Sequence, residues 1–320
     1  MKQLSVILPV HNAESDLEKC LISLCGIDDR IEVIIVNDKS SDRSMEIAGD
    51  YKKRFPSYLA VIDTDAKGIG DCFHYGLAVA KGRYVKLVRP SDRFCTDQLS
   101  LVLDKMEDCG ADVLITGREL VNLSTGQRTE YSPRVSCNNR QIDMIKLLDK
   151  YDEVYPCLEF SSLCYKTEFL RQKEFRLSED TGYVFQEYSI LPFITAHSMM
   201  IFPEVVYEQK AEPARSRVYS FSEIRRVIAI YRSYKPMGKA RDEFLKKRIA
   251  RMILNNYYAF LVVPDNRKEG WKKAEELKAY IDQNEPSLAK LTDRKYKSMK
   301  RLGKYRLAAK VAKFHELTGE

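Results

Sequence analysis

Arg89-Pro90-Ser91-Asp92, within the segment Leu87-Val-Arg-Pro-Ser-Asp-Arg-Phe94, places a guanidinium, a hydroxyl and one carboxylate directly after an apolar run. Two chemistries suit that spacing. Asp92 could ligate a divalent cation, which prefers hard oxygen ligands. Arg89 could grip an oxyanion with two parallel hydrogen bonds, a task for which a planar guanidinium is well shaped. The first is weak, because one carboxylate and a hydroxyl make a poor Mg²⁺ or Mn²⁺ site and Arg89 would repel the ion. The other alternative is that Arg89 pairs with Asp92 or a nearby acid. Three more polar, turn-rich segments also follow apolar runs: Pro9-Val-His-Asn12, Asn37-Asp-Lys-Ser-Ser-Asp42, and Asp63 to Gly70. Asp42, just before Arg43-Ser-Met-Glu-Ile, reads as a helix cap. Asp180 reads as the cap of the helix that follows it.

These groups meet only if the elements that carry them end on one edge. Leu4-Ser-Val-Ile-Leu-Pro-Val10, Glu32-Val-Ile-Ile-Val36, Leu59-Ala-Val-Ile62, Arg83-Tyr-Val-Lys-Leu-Val88 and Asp112-Val-Leu-Ile-Thr116 are near-continuous apolar runs. Helix-type segments separate them, over residues 14–24, 41–51, 70–80 and 97–108. Such alternation predicts an α/β domain whose mainly parallel sheet is covered on both faces. Ligands then bind beyond the carboxyl ends of the strands, where the four polar segments lie. Residues 117–210 are mixed, with strand-like stretches over 118–130 and 158–165 and a helix over 184–195. From Ser222 the chain is helical and basic, with clear 3.6-residue periodicity.

With 44% hydrophobic and 31% charged residues, the 320-residue chain excludes disordered and fibrous classes. Its net charge of +7, from 53 basic and 46 acidic residues, matters more for its location than its size. The 8 cysteines show no C-x-x-C pair, and the 4 histidines (His11, His74, His197, His315) show no metal spacing. That argues against a zinc site or a redox motif. No apolar leader opens the sequence and no run approaches the roughly 20 apolar residues that span a bilayer. Free thiols in a reducing cytoplasm are the expectation.

Several ordered motifs give a family resemblance. Val6-Ile-Leu-Pro-Val-His-Asn-Ala-Glu14, Glu32-Val-Ile-Ile-Val-Asn-Asp-Lys-Ser-Ser-Asp42 and Gly68-Ile-Gly-Asp-Cys-Phe-His-Tyr-Gly-Leu77, followed by Ala80-Lys-Gly-Arg-Tyr84, resemble family 2 glycosyltransferases of the GT-A fold. The third block is closest to a bacterial subgroup with F-N-Y-G-L and A-x-G-x-Y-x-K. Leu163-Cys-Tyr-Lys-Thr-Glu-Phe-Leu170 and Tyr183-Val-Phe-Gln-Glu-Tyr188 are similar to that subgroup's acceptor-side segments. The resemblance implies a Rossmann-like GT-A domain over residues 1–215, with a nucleotide-sugar half (1–115) and an acceptor half (116–215). A basic helical region over 216–320 follows. It implies nucleotide-sugar binding by Pro9, His11, Asp38, His74 and Asp92, with Asp38 reading the nucleoside. His11 replaces an aromatic, and either stacks on the base or packs.

Three positions depart from the family pattern. The quartet D-S-D-D falls on Arg89-Pro90-Ser91-Asp92, so Asp92 alone remains as a metal ligand. Arg89 then either takes over the diphosphate or pairs with an acid. The subgroup's Y-V-D falls on Tyr183-Val184-Phe185, and phenylalanine cannot take a proton. Glu187 is two positions on and would face away on a helix. Asp180, in Glu179-Asp180-Thr181, resembles another form of the base motif and becomes the candidate catalytic base, with Arg89 as the other catalytic candidate. His74 stands where the subgroup has Asn. The implied activity is transfer of a sugar, with inversion, from a UDP-linked donor to a cell-surface glycan or lipid-linked acceptor. A divalent cation (Mg²⁺ or Mn²⁺) is what the resemblance implies, although the donors suit it poorly, and no organic cofactor is expected. The alternative is a non-catalytic relative that scaffolds a partner glycosyltransferase. Between Arg294 and Lys313 lie nine Lys or Arg and no acid, interleaved with Tyr296, Met299, Leu302, Tyr305, Leu307 and Val311. This helix either lies on an anionic membrane, placing the protein peripherally on the inner face of the plasma membrane, or is a solvated or partner-facing helix. Nucleic acid is not expected, since no recognisable binding module is present.

Overall fold

Parallel pairing of two apolar runs starts the sheet. β1 (Leu4–Val10) and β2 (Ile31–Asp38) run in register from Leu4↔Ile31 to Val10↔Asn37, and every residue of β1 is buried. A strand enclosed on both faces must be largely apolar, and the one polar side chain of β1, Ser5, donates to Glu32 at 2.5 Å. Residues 1–123, 125–173, 175–179, 184–211, 221–233, 238–262, 264 and 266–305 are described in this computed structural model.

The remaining strands are β3 (Leu59–Thr64), β4 (Tyr84–Leu87), β5 (Arg93–Phe94), β6 (Val113–Asn122), β7 (Arg128–Tyr131), β8 (Gln141–Asp143), β9 (Leu163–Lys166) and β10 (Ser198–Ala211). Their order is β3-β2-β1-β4-β9-β6-β10-β5, with β7 against β6 and β8 against β10. The chain leaves β1 for β2 and β3, then returns to β4 on the other side of β1. In open α/β sheets such a reversal, here between β1 and β4, is where ligands bind beyond the carboxyl ends of the strands. The helices of this unit are α1 (Leu17–Ile22), α2 (Ser44–Arg54), α3 (Ile69–Val79), α4 (Thr96–Met106), α5 (Met144–Asp149), α6 (Tyr151–Val154), α7 (Thr167–Gln172) and α8 (Val184–Ile190).

The parallel expectation holds for β1 to β4 and for β6 with β10, but β9 enters antiparallel between β4 and β6. In the predicted strand over 158–165, Phe160–Ser162 form a 3₁₀ turn and β9 begins only at Leu163. The helix expected over 184–195 is α-helical to Ile190 and continues as a 3₁₀ turn, because Pro192 has no N–H to donate. β10 was not predicted. Pro203 and Glu204 interrupt its apolar pattern, and its register against β6 shifts at that point.

The chain divides into two compact units, Met1–Glu212 and Pro213–Glu320. The second is helical: α9 (Phe221–Ser233), α10 (Lys239–Leu261), α11 (Arg267–Asn284) and α12 (Pro286–Tyr305). On α12, Leu288, Thr292, Tyr296 and Met299 form a buried stripe at helical spacing. Tyr296 packs edge-on against Tyr257 of α10 at 4.7 Å. Gly303 allows this approach, since a Cβ there would lie 2.0 Å from the Leu261 carbonyl oxygen. The apolar side chains Tyr296 and Met299, read from sequence as available to a membrane, are therefore spent inside the unit. Leu307, Val311 and the rest of the tail beyond residue 305 lie outside the described residues. No helix among the described residues is long and apolar enough to cross a membrane. All 8 cysteines are free.

Candidate functional site

At the ends of β1 and β2 the two loops are tied to each other. Asn12, in the left-handed region at φ 49°, accepts from the Ser41 amide through Oδ1 at 2.8 Å. His11 Nδ1 donates to the Asp38 carbonyl at 2.6 Å. Its other ring nitrogen faces Asn12 Nδ2 at 3.3 Å, so the ring is fixed beside Asp38 and exposed. Asn37 is buried and holds both Asp63, at 2.9 Å, and the Ser40 amide, at 3.1 Å. This network leaves the half-buried Asp38 carboxylate without a hydrogen bond from any described residue. It lies close enough to α3 that, after burial, its charge helps push the Cys72 thiol up to about 12. Asp42 accepts from the Ser44 amide at 3.0 Å, the helix-capping role that its position before α2 predicted. Pro9 is buried within β1, opposite Val36, so it shapes the strand end rather than offering a polar group.

The end of β4 has the opposite character. Asp92 is 0% exposed. It takes Arg89 in a two-pronged contact, Nε at 2.7 Å and Nη2 at 2.8 Å. It also accepts from the Tyr207 hydroxyl at 2.7 Å and the Lys210 amide at 3.0 Å. The Ser91 hydroxyl is a fifth donor at 3.3 Å, and together these contacts fill the roughly four lone-pair directions of a carboxylate. Arg89 in turn donates to the Lys210 carbonyl at 2.8 Å. Burial alone would lower the Arg89 pKa, but the Asp92 hydrogen bonds outweigh it and keep the guanidinium charged. Burial and then the Asp92 charge push the Tyr207 phenol well above its usual range, so it stays a donor. Of the two sequence alternatives for Arg89, pairing with Asp92 is the one observed. Nη1 is the remaining guanidinium nitrogen without a partner among the described residues.

Two of the departures from the family pattern meet here. The Arg89 guanidinium lies 5.2 Å from the Phe160 ring centre and 6.0 Å from that of Phe185. The two rings pack on each other at 4.3 Å. Phe160 is positioned by Lys86, a fully buried ammonium that donates to the Phe160, Ser161 and Leu163 carbonyls at 3.4, 2.7 and 3.2 Å. Burial pushes the Lys86 pKa down, and three carbonyl acceptors match its three donors. The sequence reading passed over Lys86, Phe160, Tyr207 and Lys210. Only the lysine carried a signal, as the last residue of the A-x-G-x-Y-x-K pattern.

His74 is engaged elsewhere. Its Nε2 accepts from the Leu177 amide at 3.0 Å, which places the ring proton on Nδ1. Burial lowers its pKa, so it is kept neutral for that acceptor role. One turn earlier Gly70 touches the next residue, since a Cβ there would lie 1.8 Å from the Ser178 carbonyl oxygen. From the other side Glu187, 0% exposed, accepts from the Ser178 amide at 2.7 Å and from its hydroxyl. Leu177–Glu179 is thus clamped between α3 and α8, immediately before Asp180. Asp180 itself lies outside the described residues. Glu187, set aside in the sequence reading as facing the wrong way, is an anchor of this segment.

The donors at the end of β4 do not fit a divalent cation. Asp92 has no lone pair left to give, and the adjacent Arg89 charge opposes a metal ion. No group of three or more His, Cys, Asp or Glu side chains among the described residues could hold one.

Comparison with known proteins agrees with this frame. The family model described as Glycosyl transferase family 2 matches residues 5–206. The glycosyltransferase EpsJ of Bacillus subtilis (strain 168) is 27% identical over 265 residues, covering 79% of this chain and 70% of EpsJ. The poly(ribitol-phosphate) beta-N-acetylglucosaminyltransferase TarS of Staphylococcus aureus (strain Mu50 / ATCC 700699) is 23% identical over 273 residues. That match takes in 81% of this chain but 45% of TarS, so the chain spans less than half of that relative. The crystal structure of S. aureus TarS 1-349 in complex with UDP-GlcNAc superposes with a TM-score of 0.64 at 16% identity, covering 95% of this chain and 91% of that one.

Proposed function

Since the chain belongs to the family 2 glycosyltransferases, we propose that it binds a UDP-linked sugar at the β1–β2 strand ends and transfers the sugar, with inversion, to a cell-surface glycan or lipid-linked acceptor. The observation that carries this reading is the Asp38 carboxylate. It is held at a strand end with His11 fixed beside it and no donor among the described residues using it, as a base or ribose acceptor would need. The names of EpsJ and TarS and the nucleotide sugar bound to TarS support the reaction class and the donor. Transfer proceeds without a divalent cation. Arg89 supplies the positive charge on the diphosphate side, presenting Nη1 while Asp92 and the two phenylalanine rings hold its plane. Such preorganised charge stabilises a departing diphosphate without reorganisation. Asp180 is the candidate base, carried next to the clamped Leu177–Glu179 segment.

Phe185 favours a second reading, in which the chain binds nucleotide sugar without turnover and serves as a partner of an active transferase. Its ring occupies the family's base position and packs on Phe160. Calorimetry with UDP and UDP-sugars, followed by transfer assays with and without a chelator, separates the two. Expected are binding of UDP, at least about tenfold weaker in Asp38→Ala, and turnover that a chelator leaves unchanged and Arg89→Ala abolishes. Binding without turnover selects the second reading, and no UDP binding rejects both.

A further inference from the structure

The second unit contains a cleft that the donor site does not use. It is an open groove of about 800 Å³ between the first turns of α11 and the last turns of α12. Arg267, Lys268 and Trp271 line it from α11. Lys297, Lys300, Arg301 and Lys304 line it from α12. Six cations thus surround one indole, and no carboxylate is among the lining residues. Lys297 pairs outside the cleft with Asp293 at 2.6 Å, and Lys300 with Glu275 at 3.0 Å. Lys268 and Arg301 are exposed and have no acidic partner among the described residues. Like charges gathered in this way repel each other, and an anion in the cleft relieves that repulsion.

We propose that this cleft is a second binding site, for the phosphodiester backbone of an anionic glycan chain. Charge complementarity selects phosphate oxygens, for which Arg and Lys are the usual partners. Trp271 selects more than a bare ion. Lys300 Nζ lies 5.6 Å and the Arg267 guanidinium carbon 5.8 Å from the indole centre, so an apolar platform stands among the charges. A sugar or polyol unit between two phosphates presents C–H groups to such a platform and oxyanions to its rim. The volume is that of a ligand pocket, room for a few repeat units. A bilayer is the poorer occupant. Membrane-lying helices need an outward apolar face, and Tyr296 and Met299 of α12 are buried instead. The role of the site, retaining a charged acceptor during transfer, rests on the transferase reading above; the binding itself does not.

The chain has a single tryptophan, so its fluorescence reports this cleft alone. The full chain is titrated with a synthetic oligo(glycerol phosphate). The expected result is a saturable change in Trp271 emission that weakens steeply with salt, and roughly a tenfold loss of affinity in the double variant Lys268→Glu/Arg301→Glu. Both positions are exposed, and unchanged far-ultraviolet circular dichroism verifies the fold of that variant. UDP binding in the same variant stays at the wild-type level, which separates failure of this site from failure of the donor site. Unchanged emission, or unchanged affinity in the double variant, overturns the proposal. So does tighter binding, per phosphate, to phosphatidylglycerol vesicles or to a single-stranded oligonucleotide, since either names a different occupant.

Discussion

The carboxyl end of β2 and the loop that follows β4 each carry an aspartate, and the two aspartates have opposite surroundings. Asp38 is half-buried, its neighbours hydrogen-bond one another, and its carboxylate is left over. Asp92 is fully buried and receives two bonds from Arg89 and one each from Tyr207, the Lys210 amide and the Ser91 hydroxyl. An acid whose lone pairs are free can serve a ligand, whereas one whose lone pairs are filled serves the fold. The side proposed for the nucleoside therefore keeps a free carboxylate among the described residues, whereas Asp92 is closed by the protein's own cation.

Removing each acid in turn is the sharpest test of that contrast. Asp92→Ala leaves Arg89, Tyr207 and the Lys210 amide with unpaired polar groups in a buried place. Breaking such a pair costs about 3–5 kcal/mol, read as a lowered urea midpoint with unchanged slope. A loss below about 1 kcal/mol would return Asp92 to the pool of free ligands. A smaller effect is expected at the clamp before Asp180. The His74 pKa is depressed below its ordinary 6.5, mainly by burial, so neutral His74 contributes stability that is complete above that value. That contribution declines as the pH falls below 6.5 toward the lower folded pKa. His74→Gln, which cannot be protonated, should flatten this part of the stability–pH curve; an unchanged curve rejects the role. The smallest effect on stability belongs to Asp38→Ala, within about 0.5 kcal/mol, even though nucleotide binding should suffer most there. A large stability loss in that variant would show that Asp38 is structural as well.

Much of the frame was legible because it is local. The runs of β1, β2 and β3 have near-continuous apolar centres, so their type, order and carboxyl ends follow from the text. The family motifs on those ends made Asp38 and His11 candidates, and the structure places the two side by side. Legibility failed where residues far apart in sequence share one environment. β10 contains Pro203 and Glu204 and does not read as a strand, yet Tyr207 and Lys210 from that strand fill the lone pairs of Asp92. Glu187 was judged by its position relative to Phe185 on one helix, while its partner, Ser178, is on the segment before that helix. The apolar residues of α12 were noted in sequence, but only packing against Tyr257 decided which way they turn.

The sequence by itself determined that a guanidinium, a hydroxyl and one carboxylate stand at the end of β4, and that a phenylalanine stands at the family's base position. Composition alone already made that a poor metal site. It could not decide whether Arg89 meets a ligand or Asp92. That choice belongs to the tertiary structure, because an ion pair forms where desolvation is shared and every remaining lone pair finds a donor. Here those donors come from Tyr207 and Lys210, more than a hundred residues along the chain.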